Sequence, residues 1–88
     1  MDRRDQLEEY RVALSAANKQ DEMQFHLLVQ YGVRLLELSD ADLAHDLDMS
    51  LPSVARWRDG RNAPHPAMRP FIYQKLSLRA SMLLAQDL

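Results

Sequence analysis

Apolar residues fall along the chain in helical stripes, separated by short polar or proline-containing breaks. Leu7, Tyr10, Leu14 and Ala17 recur at intervals of 3, 4 and 3, which places them on one side of a helix over residues 2–18. That segment has no Gly or Pro and is rich in helix formers. Asp2 and Asp5 stand in its first turn, where the helix dipole favours negative charge. Asn18-Lys19-Gln20-Asp21 interrupts the pattern. A second helix starts near Asp21 and carries Phe25, Leu28, Val29, Leu35 and Leu36. The two stripes do not share a phase when extended through residue 21, so a break near 18–21 is predicted; one long helix is the alternative. Gly32 weakens the second helix by only about 1 kcal/mol, and close packing against a neighbouring helix is its expected reason.

Two short helices follow between Leu38 and Gly60. Ser39 is an N-cap, and Asp42 three residues on returns a bond to its backbone N–H, a capping box with Asp in place of Glu or Gln. Leu43, Ala44 and Leu47 form the buried face of about two turns. Asp48-Met49 leaves room only for a sharp turn. Ser50 caps the next helix, and Pro52 sits in its first turn, where a missing N–H does no harm. Val54 and Trp57 face the core, and Gly60 supplies the left-handed residue that ends the helix.

Asn62-Ala63-Pro64-His65-Pro66 reads as a loop, since each proline pushes its preceding residue out of the helical region. A last helix starts around 67–70 and runs to about Ala85, with Phe71, Ile72, Leu76, Leu78, Met82 and Leu83 as its apolar side. There are no strand signals and no repeats. The prediction is one all-α domain over 1–88 with four or five short helices: an N-terminal helix within 1–20, a helix-turn-helix at 38–60 and a C-terminal helix at 67–86.

Eighty-eight residues suffice for one small domain, which a dimer partner would help stabilise. The absence of cysteine excludes disulfides and thiolate zinc sites. The start MDRRDQLEEYR has no apolar run of the signal-peptide kind, and no segment approaches the ~18 apolar residues that cross a bilayer. A soluble, cytoplasmic protein is the expectation. The net charge of −2 conceals an asymmetry. Residues 1–49 hold five Lys/Arg and eleven Asp/Glu, whereas residues 50–79 hold six Lys/Arg and only Asp59. Location matters more than the total, because phosphate attraction acts over roughly 8–10 Å.

Leu38-Ser39, Leu43-Ala44, Leu47, Met49-Ser50, Val54, Trp57, Gly60 and Pro64 stand at the spacing of a known motif. The stretch resembles the helix-turn-helix of the lambda-repressor/Cro family of bacterial and phage regulators. The likeness covers about 27 of 88 residues. It implies a lambda-repressor-like DNA-binding domain in a sequence-specific transcriptional regulator, a small repressor acting as a homodimer on double-stranded DNA. By the same resemblance, the positions of Leu51, Pro52 and Arg56 face base edges, and the loop holding Arg61 and Asn62 meets the sugar-phosphate backbone. The sequence also departs from the family pattern. Asp48 replaces the usual turn glycine, and Asp40 stands where a glutamine commonly touches phosphate. Arg58 replaces a glutamate, so the family's ion pair is either absent or reversed, with Glu37 or Asp42 as its partner.

The physics of the motif is independent of the likeness. A major groove about 12 Å wide admits one α-helix, held by its back and polar on its front. At 100° per residue, with Val54 inward, Leu51 and Trp57 lie about 60° to either side. Pro52, Ala55, Arg56 and Asp59 then point outward. Arg56 is the one long bidentate donor there, suited to guanine O6 and N7. Ser53 contacts a phosphate or a base, Leu51 or Pro52 a thymine methyl, and Ser50 lies at the same helix start. Asp59 either accepts from cytosine N4 or repels the backbone. The resemblance, rather than this geometry, implies that Arg61 and Asn62 position phosphate, with Arg69 and Lys75 as weaker candidates.

His26, His45 and His65 are too far apart in sequence for a metal site, and His45-Asp46 diverge by about 100° on a helix, too far for a catalytic pair. No nucleophile motif or phosphate cradle is present. Neither enzyme activity nor a metal or cofactor is expected. Dimerisation would use the apolar stripe of helix 2–18 or the tail Ser81–Leu88. The alternative is a helix-turn-helix that binds protein, with Asp40, Asp42, Asp46 and Asp48 facing a basic regulator or polymerase subunit.

Overall fold

A computed structural model describes residues 2–86. Five α-helices run in the order α1 (Arg3–Ser15), α2 (Glu22–Leu35), α3 (Asp40–Leu47), α4 (Leu51–Asp59) and α5 (Arg69–Gln86), with a 3-10 turn over Pro66–Met68. No strand occurs among the described residues. The break between α1 and α2 is real, and side chains close it. Asn18 N–H donates to Gln24 Oε1 at 2.8 Å, and Gln20 N–H donates to Asn18 Oδ1 at 3.0 Å. Asp21 Oδ1 caps α2 by accepting from Gln24 N–H at 3.0 Å. These bonds offer the backbone an alternative to helix at residues 16–21.

One core is shared by all five helices. Leu7, Tyr10 and Leu14 of α1 are buried, and α1 packs chiefly along α5. Phe25 and Val29 of α2 and Leu36 beyond its end are buried, while Leu28 and Leu35 are partly so. The α1 stripe is therefore intramolecular core and is not available as a dimer surface. The face of α5 also differs from the sequence expectation. Ile72, Tyr73, Leu76, Ala80 and Leu84 turn inward, whereas Phe71, Leu78 and Met82 are exposed and Leu83 is half-buried. This helix has apolar residues on both sides, so periodicity alone left the choice of face open, and docking of α1 decides it.

Gly32 confirms the close-packing reading. Tyr10 lies across it and donates its hydroxyl to the Leu28 carbonyl at 2.8 Å. A Cβ at Gly32 would stand 2.8 Å from Tyr10 Cζ and nearer still to the hydroxyl oxygen. Burial raises the Tyr10 pKa well above its ordinary value. Gly32→Ala gains about 1 kcal/mol of helix propensity but forces the buried ring off its acceptor. A net loss of about 1–2 kcal/mol is expected in urea denaturation. Stability equal to the parent's would show that Tyr10 swings aside freely.

The C-terminus of α2 carries a feature absent from the sequence reading. Glu37 adopts a left-handed conformation with φ 54°. Its N–H donates to Arg34 O at 3.3 Å, and Leu38 N–H donates to Val33 O at 3.0 Å. Glutamate gives no local sign of this role, which glycine usually fills. Among the described residues, no helix is long and apolar enough to cross a membrane.

Candidate nucleic-acid interface

The α3–turn–α4 unit is set by caps at each of its four ends. Ser39 Oγ accepts from Asp42 N–H at 3.0 Å, and Asp42 Oδ2 accepts from Ser39 N–H at 3.1 Å. These bonds hold the Asp42 carboxyl below the usual carboxylate range. The box therefore contributes above that range and is lost as pH falls through the depressed pKa. Asp48 takes the left-handed conformation (φ 54°, ψ 45°) that ends α3. Met49 N–H then donates to Ala44 O at 2.9 Å. Ser50 caps α4 by accepting from Ser53 N–H at 3.3 Å, and the two hydroxyl oxygens lie 2.8 Å apart. Gly60 (φ 78°) ends α4, with Arg61 N–H donating to Arg56 O at 3.0 Å.

The back of α4 is fixed by α2. Val54 and Trp57 are buried, and Trp57 meets Phe25 edge-on at 5.9 Å between ring centroids. Two α2 side chains bind the carbonyls at the end of α4, where backbone acceptors lack helical partners. His26 Nδ1 lies 2.8 Å from Trp57 O, and Gln30 Nε2 donates to Arg58 O at 2.7 Å. A carbonyl only accepts, so Nδ1 carries the proton in this contact. Sequence reasoning missed this clamp. Its signal was present: His26 and Gln30 are polar, one turn apart, and border the Phe25–Val29 stripe.

The predicted reading residues lie along one stretch. Leu51 and Pro52 are exposed at the start of α4, Ser53 is half-buried, and Ser50 is exposed at the cap. Arg56 is exposed on the outward face, and its guanidinium has no hydrogen bond or ion pair among the described residues. Arg61 and Asn62 are exposed just beyond the helix end. From Ser50 to Arg61 the stretch extends about 17 Å, at about 1.5 Å per residue.

The surrounding charges are arranged differently from expectation. Arg58 pairs neither with Glu37 nor with Asp42. Its Nε and one terminal nitrogen donate to the two oxygens of Asp40 at 2.7 and 2.9 Å. The fork joins α3 to α4 and raises the Arg58 pKa, chiefly through the hydrogen bond to Asp40. Asp40 is thus neutralised rather than left to repel phosphate. Asp59 accepts from Arg61 at 2.9 Å and lies 3.8 Å from Arg58. Arg79 is 3.9 Å from Asp46, and the Lys75 ammonium stands 5.5 Å from the Phe71 ring centroid. Arg69 is no phosphate ligand. It is 5% exposed, donates to Pro64 O at 3.1 Å and Lys19 O at 2.7 Å, and lies 5.8 Å from the Phe25 ring centroid. Most of the positive charge of residues 50–79 is therefore compensated or structural, and Arg56 stands out by contrast.

His65 Nδ1 accepts from Ala67 N–H at 3.0 Å and starts the 3-10 turn, and His45 is exposed on α3. No cluster of three or more potential metal-ligating side chains occurs among the described residues. Searches against family models, curated proteins and solved structures match nothing to this chain.

Proposed function

We propose that this protein is a sequence-specific DNA-binding regulator that lays α4 in the major groove and reads base edges chiefly with Arg56. One observation carries the proposal: an exposed arginine, unpaired among the described residues, on the outward face of a short helix whose back is buried and whose two ends are capped and hydrogen-bonded. A reading helix needs both properties, because a bidentate contact to guanine discriminates only if the backbone behind it does not move. Leu51 and Pro52 offer apolar contact to a thymine methyl. Ser50, Ser53, Arg61 and Asn62 supply polar groups for the backbone. The resemblance of residues 38–64 supports reading it as a small repressor that acts on double-stranded DNA as a homodimer.

The charge pairing around α4 sets the expected strength. Binding affinity falls with salt at a slope of about −0.9 per neutralised phosphate. With Arg58, Arg61 and Arg79 beside carboxylates, we expect one or two phosphates per protomer, hence a slope of about −1 to −2 per protomer. Full availability of the positive segment would give about −4 to −5. Fluorescence anisotropy of a labelled duplex between low and physiological salt measures this. Asp40→Asn should free Arg58 and steepen the slope by about 1; a slope unmoved by it would remove Arg58 from the phosphate-facing surface.

A second reading, docking of a protein on α3–α4, is favoured by the same near-neutral surface and the half-exposed Leu51. Under that reading no duplex binds, and Leu51→Ala weakens partner binding whereas Arg56→Ala does not.

A further inference from the structure

We infer that the hollow between the C-terminal end of α1 and the first turns of α5 is a binding site for an uncharged small molecule, one that joins a flat apolar body to a carbonyl or amide group. The inference concerns this site alone and stands whether or not α4 reads DNA.

The hollow has a volume of about 560 Å³ and opens to solvent on one side. Small-molecule sites span about 300–1,000 Å³ and combine apolar walls with a few polar groups. Leu14 and Ala17 line it from the α1 side, and Phe71 lines it from α5. Phe71 is 44% exposed, so its ring is available to a flat guest. Tyr73 forms part of the lining and rests on the Phe25 ring, 5.9 Å away between centroids, so the site is largely formed before a guest arrives.

Charge selects the class of guest. Among the described residues, no charged side chain lines this hollow, in a chain where 27% of residues are charged. The Lys75 ammonium stands over the Phe71 ring but outside the lining. Smaller hollows elsewhere differ. Glu9 lines one, Arg3, Arg34 and Glu37 another, and Asp46, Lys75 and Arg79 a third. An ion entering the α1–α5 hollow would give up hydration and meet no opposite charge.

The polar groups select a carbonyl or amide. Tyr73 is 5% exposed, and its buried hydroxyl has no hydrogen-bond partner among the described residues. Burial raises its pKa above the ordinary tyrosine value, so at neutral pH the hydroxyl is a donor that lacks an acceptor. Buried polar groups are nearly always paired, and a carbonyl oxygen brought by a guest supplies the missing acceptor. Seating it requires a shift of the side chains that close over the hydroxyl, and the new bond offsets that shift. Ser15 donates its hydroxyl proton to the Val12 carbonyl at 2.9 Å, which leaves its oxygen as an acceptor at the rim. Gln74 is exposed and carries both a donor and an acceptor. An amide, with one group of each kind, matches this set better than a hydrocarbon or an ion.

Acetanilide, a neutral ring bearing an amide, is the probe, with benzoate and benzylammonium as charged counterparts of similar size. Each is titrated to about 20 mM against the isotope-labelled whole chain, with backbone amide shifts as the readout. Acetanilide is expected to shift Ser15, Ala17, Phe71 and Gln74 saturably, with a Kd on the order of 1–10 mM for its roughly ten heavy atoms. Both ions should bind there at least about tenfold more weakly. Tyr73→Phe should weaken acetanilide by about fivefold and leave the free protein melting no lower than the parent, because the hydroxyl removed has no partner. Gln74→Glu, at an exposed position, should turn the preference toward benzylammonium. Shifts that cluster on another surface or show no saturation, an ion bound at the hollow as tightly as acetanilide in the parent, or equal acetanilide affinity in Tyr73→Phe overturns the proposal.

Discussion

Replacing Arg69 with alanine is expected to cost about 2–4 kcal/mol of stability, the largest effect of any polar substitution in the chain. The guanidinium bonds the carbonyls of Lys19 and Pro64, which lie 45 residues apart in sequence, and covers the Phe25 ring. Hydrogen bonds from a charged donor contribute about 1.5–3 kcal/mol each before their non-additivity is counted, and removal leaves two carbonyls short of a partner. The consequence reaches α4, because Phe25 packs on Trp57 and the Pro64 loop follows directly from the α4 end. Arg69→Lys should recover part of the loss, since one ammonium lacks the planar fork. Arg69→Met keeps the apolar stem without the donors and should lie near alanine. Urea denaturation of the three variants checks the order. Equal stability of the methionine variant and the parent would show that packing, not hydrogen bonding, is what Arg69 supplies.

Arg56→Ala has the opposite profile. Because Arg56 is exposed and has no partner among the described residues, we expect stability to change by no more than about 0.5 kcal/mol. DNA affinity should fall by about 1–3 kcal/mol, with relaxed preference at one base pair. Arg56→Lys retains the charge but not the bidentate geometry, so it should keep most of the non-specific affinity and lose discrimination. Gel-shift titration against a preferred site and its single-base variants separates the two losses. Unchanged affinity and preference in Arg56→Ala would remove it as the base reader.

The contrast between these two arginines shows where the sequence was readable. Both lie in the same positive segment, and one-dimensional pattern gave Arg69 a surface role. Its burial depends on two carbonyls in distant loops, which no local spacing reveals. Contacts within three to five residues were legible: the Ser39–Asp42 box, the Ser50 cap, the Asp48 turn and the Gly60 stop all stand as the sequence predicts. The reason is physical, because caps and left-handed residues are decided by short-range sterics and hydrogen bonding. Long-range pairings were not legible. Arg58 chose Asp40, 18 residues away, over Glu37 and Asp42, since Asp42 is committed to its cap and Glu37 lies across from Arg3 at 3.8 Å. The tail proposed for dimer contact was only partly placed: Leu84 belongs to the core, Met82 is exposed, and residues 87–88 lie outside the described residues.

Those long-range pairings also refine the functional expectation. A helix-turn-helix with several free cations would hold DNA tightly and with little discrimination. Here the compensated charges leave Arg56 as the dominant donor, so selectivity should depend more on base contact than on phosphate attraction. On the proposed reading of α4, strong DNA binding would need low salt or paired half-sites.

Selection from a pool of random duplex oligonucleotides at low salt, carried out in parallel with the parent and Arg56→Ala, tests the reading of α4 most directly. The account predicts that the parent enriches a motif containing a fixed guanine, in two-fold copies about one helical turn apart, and that the guanine preference disappears in Arg56→Ala. Failure of the folded parent to enrich any sequence, or the same motif emerging from both proteins, would contradict it.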